Sequence, residues 1–194
     1  MITHIKGKLV EKTPTHAVID CNGIGYLLHI SLTTFSKLPD AENAKLYTHL
    51  SVREDAHTLF GFFDKLEREI FRLLISVSGV GPSIARTMLS SMSSAQIQQA
   101  IATEDIPTIQ SVKGIGAKTA QRVIIDLKDK ILKTYAIDED SVGVNHNTIK
   151  DEALSALEVL GYTKRQVDKL LQKIIKNTPN IELEDLIKQA LQNV

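Results

Sequence analysis

The chain has 194 residues, 43% hydrophobic and 24% charged, with 23 basic and 23 acidic side chains that cancel. This composition excludes a disordered or low-complexity chain and supplies apolar material for a core, in one domain or a few small ones. One cysteine, Cys21, excludes an intramolecular disulfide and fits a reducing cytoplasm, and no stretch has the length of a membrane span.

The zero sum hides a distribution. Residues 1–62 carry six basic and six acidic groups, and residues 63–135 carry ten and seven. Residues 136–149 hold three acids and no Lys or Arg, and residues 150–194 hold seven of each. The positive excess therefore falls on the second block, where a phosphate-binding surface would want it. The N-terminus lacks the long apolar run of a signal peptide, so the expected location is cytoplasmic with no membrane contact. Six scattered histidines show no paired spacing, so neither a metal nor a cofactor is expected.

Residues 1–62 read as β structure. Lys8–Lys12 and Thr15–Cys21 flank a turn at Thr13-Pro14, and Asn22-Gly23-Ile24-Gly25 makes a glycine-rich hairpin turn into Tyr26–Ile30. A short helix is expected over Leu32–Leu38, followed by alternating strands at Leu46–Val52 and His57–Phe62. Five short strands in about sixty residues suit a small barrel of the OB type, although a generic small barrel fits equally. Glu54 and Asp55 sit together at the tip between the last two strands. By themselves they read as a solvated acidic turn, because no further carboxylates converge on them.

From Asp64 the period becomes helical, with Leu66, Ile70, Leu73, Leu74 and Val77 on one stripe. The stretch then carries a repeat. Gly79-Val80-Gly81-Pro82-Ser83-Ile84-Ala85 and Gly114-Ile115-Gly116-Ala117-Lys118-Thr119-Ala120 both read Gly-x-Gly-x-x-x-Ala, offset by 35 residues. In each, glycine permits a tight turn and close approach to the backbone, and the next helix begins with unpaired amides at the positive end of its dipole. Pro82 suits a first helical position. A glycine turn that opens a helix in this way is a phosphate cradle. Two copies between helices form a tandem helix-hairpin-helix domain over 63–135, a module that grips the sugar-phosphate backbone without reading bases. The candidate contacts are Gly79, Val80, Gly81, Ser83 and Arg86 in the first copy, and Gly114, Ile115, Gly116, Lys118, Thr119 and Arg122 in the second.

Gly114–Thr119 superficially suggests a nucleotide-binding P-loop. That motif needs glycine before the lysine and a preceding buried strand, whereas Ala117 precedes Lys118 and Thr108–Val112 reads as helix. ATP binding by this chain is rejected.

Residues 136–147 lack apolar periodicity and read as a flexible acidic linker. Periodicity resumes over 148–194 in three short helices, with Gly161-Tyr162 ending the first and Thr163–Gln166 capping the second. This three-helix bundle reads as a partner-docking module, with Leu157, Leu160 and Tyr162 as the candidate contact.

The order of these parts resembles the RuvA family of bacterial Holliday-junction DNA-binding proteins over nearly the whole chain. The resemblance rests on Met1-Ile2, Gly23-Ile24-Gly25-Tyr26, Thr48-His49, Val52-Arg53-Glu54-Asp55-Ala56 and Leu59-Phe60-Gly61-Phe62, on both glycine hairpins, and on Ala156-Leu157 through Leu160-Gly161-Tyr162. It implies a non-catalytic homotetramer on a four-way junction, with a RuvB-type hexameric ATPase as motor and a RuvC-type resolvase on the same junction. It also implies that Glu54 and Asp55 form an acidic pin at the junction centre, which reverses the bland reading of them. This chain departs from the family where lysine is often found inside the hairpins, carrying Ser83 and Ala117 instead.

Two other classes of function remain to be weighed. One is a helix-hairpin-helix DNA glycosylase/lyase using Lys118 as a Schiff-base nucleophile with Asp138, twenty residues on. The other is a general duplex-DNA-anchoring adaptor.

Overall fold

The computed structural model describes residues 1–40, 42–139, 147–178 and 181–193. They fall into two compact units, Met1–Asp138 and Glu139–Val194.

In the first unit, β1 (His4–Lys12), β2 (His16–Cys21), β3 (Ile24–Ile30), β4 (Asn43–Val52) and β5 (His57–Phe62) close a barrel in the order β1-β2-β3-β5-β4. All pairings are antiparallel except β3 with β5, which meet in parallel at His29–Phe60 and Ile30–Gly61. α1 (Leu32–Lys37) fills the connection between β3 and β4. This is the five-stranded OB-type barrel expected from the alternation. Period-2 burial explains it: Ala17, Ile19, Leu28, Ile30 and Leu46 point inward and are buried. β1 starts at His4, four residues before the expected strand, because Lys6 and Gly7 hide the alternation while still pairing with β4.

The outer face of β5 does not see solvent. Phe60 and Phe62 join the core of the helical block, where their rings lie 5.1 and 4.9 Å from the fully buried Phe71 on α2 (Lys65–Ile75). Burying one such ring stabilises by about 1.5–3 kcal/mol, so these two rings fasten β5 to the helical core, while the barrel interior around Ile19, Leu28 and Leu46 forms a core of its own. The boundary expected at residue 62 is a change of secondary structure within a single compact unit.

α2 is followed by α3 (Pro82–Ser91), α4 (Ser94–Ala102), α5 (Ile106–Gln110) and α6 (Ala117–Glu139). Ser93 caps α4 through a reciprocal box with Gln96, and the Asp105 side chain caps α5. α6 runs beyond the expected boundary at 135, so four residues assigned to the linker are helical, and residues 140–146 lie outside the described residues.

The second unit packs α7 (Asn147–Val159), α8 (Lys164–Asn177) and α9 (Leu183–Gln192) around Ala153, Leu154, Leu157, Val167, Leu171 and Leu186. Lys150 and Asp168 bridge α7 and α8 at 2.7 Å. Among the described residues no helix is long and apolar enough to cross a membrane, and no cluster of side chains could hold a metal ion.

Candidate nucleic-acid interface

The two glycine turns repeat one another bond for bond. Val80 N–H donates to Val77 C=O at 3.0 Å, and Ile115 N–H donates to Val112 C=O at 3.1 Å. Ser76 Oγ donates to Leu73 C=O and Ser111 Oγ to Thr108 C=O, both at 2.7 Å. Gly79 and Gly114 adopt φ of +95° and +97°, a region open to glycine and strained for other residues. The repeat also packs on itself. A Cβ on Gly79 would lie 3.6 Å from Thr119 Oγ1, and one on Gly114 would lie 3.8 Å from Ile84 Cγ1. Ile84 and Thr119 each stand five residues past their own glycine, so each hairpin rests on the other in the same way.

Beyond the turns, the backbone is left open. Among the described residues, the amides of Gly81, Ser83 and Ile84, and those of Gly116, Lys118 and Thr119, donate to no protein acceptor. A Cβ on Gly81 or Gly116 would meet nothing within 4 Å. Each hairpin therefore presents bare N–H groups at the positive end of a helix, beside open space, which is the chemistry that holds an anion. Lys113 and Lys118 are exposed and make no ion pair among the described residues.

Several candidate residues do other work. Val80 and Ile115 are buried at 4% and 6% with their N–H groups already bonded, so they anchor the loops in the core and do not face a ligand. Arg86 donates from Nη1 to Thr15 C=O at 3.2 Å and to His29 Nδ1 at 3.3 Å, which ties α3 to the barrel. Arg122 donates from Nη1 to Ser78 C=O at 3.2 Å, bracing the first hairpin from the second. Their charges remain at the hairpin face while these donors are committed.

The β4–β5 tip is a two-residue turn closed by Arg53 N–H to Ala56 C=O at 2.9 Å. Its Glu54 and Asp55 are both exposed. The tip borders the first hairpin across an open cleft of about 220 Å³ lined by His29, Arg53, Asp55, Ser83 and Arg86. Arg53 was not among the candidates, although it directly precedes the acidic pair. Burial first, then Arg86 and His16, holds the His29 pKa below the usual 6.5, and because a guanidinium can only donate, Nδ1 is the acceptor in the Arg86 contact.

In the second unit, Leu157 is fully buried and belongs to the bundle core, so it is no contact surface. Gly161 N–H donates to Glu158 C=O and Tyr162 N–H to Leu157 C=O, both at 3.0 Å, and Gly161 has φ +99°. This helix end folds Tyr162 back onto the core and leaves Val159 and Leu160 outside, 88% and 58% exposed. Val159 was missed. Its only signal is an apolar residue two positions past Leu157, off the helix stripe.

The geometry also weighs against a lyase. Lys118 and Asp138 lie on the one helix α6, and twenty residues at 1.5 Å each separate them by about 30 Å. They do not converge on one substrate atom.

A barrel fused to two phosphate cradles, with acid at an adjoining tip, defines a DNA-binding protein of the tandem helix-hairpin-helix class. Family models match in the same order: RuvA N-terminal domain over residues 1–61, a SAM-like helix-hairpin-helix tandem over 71–129, and RuvA C-terminal domain over 148–194. The chain belongs to the RuvA family. It is similar over its full length to proteins named Holliday junction branch migration complex subunit RuvA. Identity is 61% over 194 residues with that of Christiangramia forsetii and 58% over 194 residues with that of Flavobacterium psychrophilum, all of each chain being covered. With that of Bacteroides fragilis it is 46% over 202 residues, again with both chains covered in full.

Proposed function

We propose that this chain is the non-catalytic subunit that holds a four-way DNA junction open while a RuvB-type ATPase drives branch migration through it. The observation that carries this reading is the pair of bare-amide hairpins in one compact unit with the Glu54–Asp55 tip. Amides and helix dipoles grip phosphate without consulting base sequence, as a protein that moves junctions through any sequence requires. In a homotetramer, four copies of the tip would crowd carboxylates at the crossing point, where they repel phosphate and keep the strands apart. A RuvC-type resolvase acting on the same junction, and a cytoplasmic setting, complete the proposal.

Gel shifts comparing a four-way junction with linear duplex of equal length test it. Preference for the junction is the expected result, and equal affinity would favour the duplex-anchoring adaptor. Replacing Glu54 by Gln and Asp55 by Asn together keeps or tightens junction binding by several-fold at low salt, and less at high salt as screening grows. The same change disturbs control of migration in a reconstituted assay. Loss of binding would contradict the pin role.

Ser83 marks a place where a cation is absent at an exposed position on the first cradle. Ser83→Lys adds one phosphate contact, so the slope of log affinity against log salt steepens by about one unit. A salt titration of the two proteins measures this directly.

A further inference from the structure

A buried carboxylate lies between barrel and hairpins, and the DNA-binding chemistry above does not use it. Glu67, in the first turn of α2, is 1% exposed. Its Oε1 accepts from Ser31 Oγ and its Oε2 from Thr34 Oγ1 at 2.7 Å, and both of those hydroxyl residues are themselves buried. Thr34 Oγ1 in turn accepts from Phe63 N–H at 3.0 Å, and Ser31 caps α1 by accepting from Thr34 N–H at 3.0 Å. Thr33 Oγ1 donates to Leu89 C=O at 2.7 Å, and Leu32 N–H donates to Ser90 Oγ at 3.1 Å, so the same short helix also holds α3.

The position of this knot along the chain gives it a consequence. The acidic tip runs directly into β5, which ends at Phe62, beside the Phe63 amide bonded to Thr34. α2 leaves the knot in the other direction and delivers the first glycine turn, at Gly79, twelve residues after Glu67. Tip and cradle are thus the two ends of one lever, and Glu67 lies at its pivot. An ionised carboxylate taken out of water is costly unless paired or bonded, and an apolar residue would fill the same space more cheaply. A plain leucine there could not orient two hydroxyls on α1. Lys37 of α1 and Asp64 at the start of α2 are the charges facing the site, and they pair with each other at the surface.

We propose that Glu67 is a positioning residue for junction recognition: through Ser31 and Thr34 it fixes the distance between the acidic tip and the first phosphate cradle. The inference rests on the junction reading above. A linear duplex engages only the hairpins, so its affinity is independent of that distance. A junction must satisfy hairpins and tip at once, so its affinity is not.

The test measures affinity of the full chain for a four-way junction and for equal-length duplex, at a temperature where circular dichroism shows each variant folded. Glu67→Ala is expected to weaken junction binding about tenfold, the worth of a hydrogen bond to a charged group, with duplex binding unchanged. Glu67→Gln, which can accept from one hydroxyl and donate to the other, is expected to restore the preference. Ser31→Ala removes one partner and shifts the ratio in the same direction, which keeps the test decisive if Glu67→Ala does not fold. Equal losses on both DNAs, or an unchanged ratio, would overturn the positioning role. A wild-type chain without junction preference would instead overturn the junction reading on which it rests.

Discussion

Replacing Gly81 and Gly116 together by alanine lowers junction affinity at least about tenfold while leaving the fold as stable as before or slightly more so. The two halves of this expectation have separate causes. Gly81 has φ −85° and ψ 168°, an ordinary extended conformation, and neither glycine has an atom within 4 Å of where a Cβ would stand. The protein therefore loses nothing, and the unfolded chain loses freedom, which favours folding by about 0.4–1 kcal/mol. The space that each methyl enters is the space a phosphate needs to reach the amides of the cradle, so the penalty falls on the ligand alone. Gly79→Ala and Gly114→Ala make the contrasting pair. Their positive φ makes them strained, so they lower thermal stability and binding together. Thermal unfolding run beside fluorescence-anisotropy titration separates the two pairs.

A chain ending at Glu139 binds the junction as the full chain does and no longer stimulates the motor. The first unit closes at Asp138, so the cut removes the bundle and none of the cradle machinery. A finer version keeps the bundle. Val159→Ser with Leu160→Ser removes two exposed apolar side chains that contribute little to the core. If they are anchors of the docking surface, each is worth about 2 kcal/mol, and motor stimulation falls by more than tenfold. Leu157→Ala is the informative control. It opens a cavity in a core of under fifty residues, costs about 2–5 kcal/mol, and disables docking by unfolding the bundle. Circular dichroism of the isolated bundle is unnecessary, because loss of helicity in the full chain reports the difference. Unchanged stimulation by the truncated chain would remove the docking role from residues 148–194.

What could be read from the sequence was what local rules determine. Alternation placed β4 and β5, a capping box placed α8, and the 35-residue glycine repeat located both helix-opening turns. What escaped depends on tertiary neighbours. Glu67 falls outside the apolar stripe read for α2, yet it lies three and four residues before Ile70 and Phe71 and turns inward with them. Val80 and Ile115 looked like loop residues beside a ligand because motif position says nothing about which way a side chain points. Arg86 and Arg122 looked like free cations, and their acceptors, Thr15 and Ser78, are 71 and 44 residues away in sequence. The end of α6 was misplaced because acidic residues with weak periodicity read as linker even where the helix continues.

In the proposed function, the amides of two glycine corners meet sugar-phosphate. Hydrogen exchange of the full chain, with and without a saturating synthetic four-way junction, measures that contact at the backbone itself. The predicted result is slowed exchange confined in the first unit to the amides of Gly81, Ser83 and Ile84 and of Gly116, Lys118 and Thr119, together in both copies of the repeat. Unchanged exchange at both corners on a chain that is bound to the junction would contradict it.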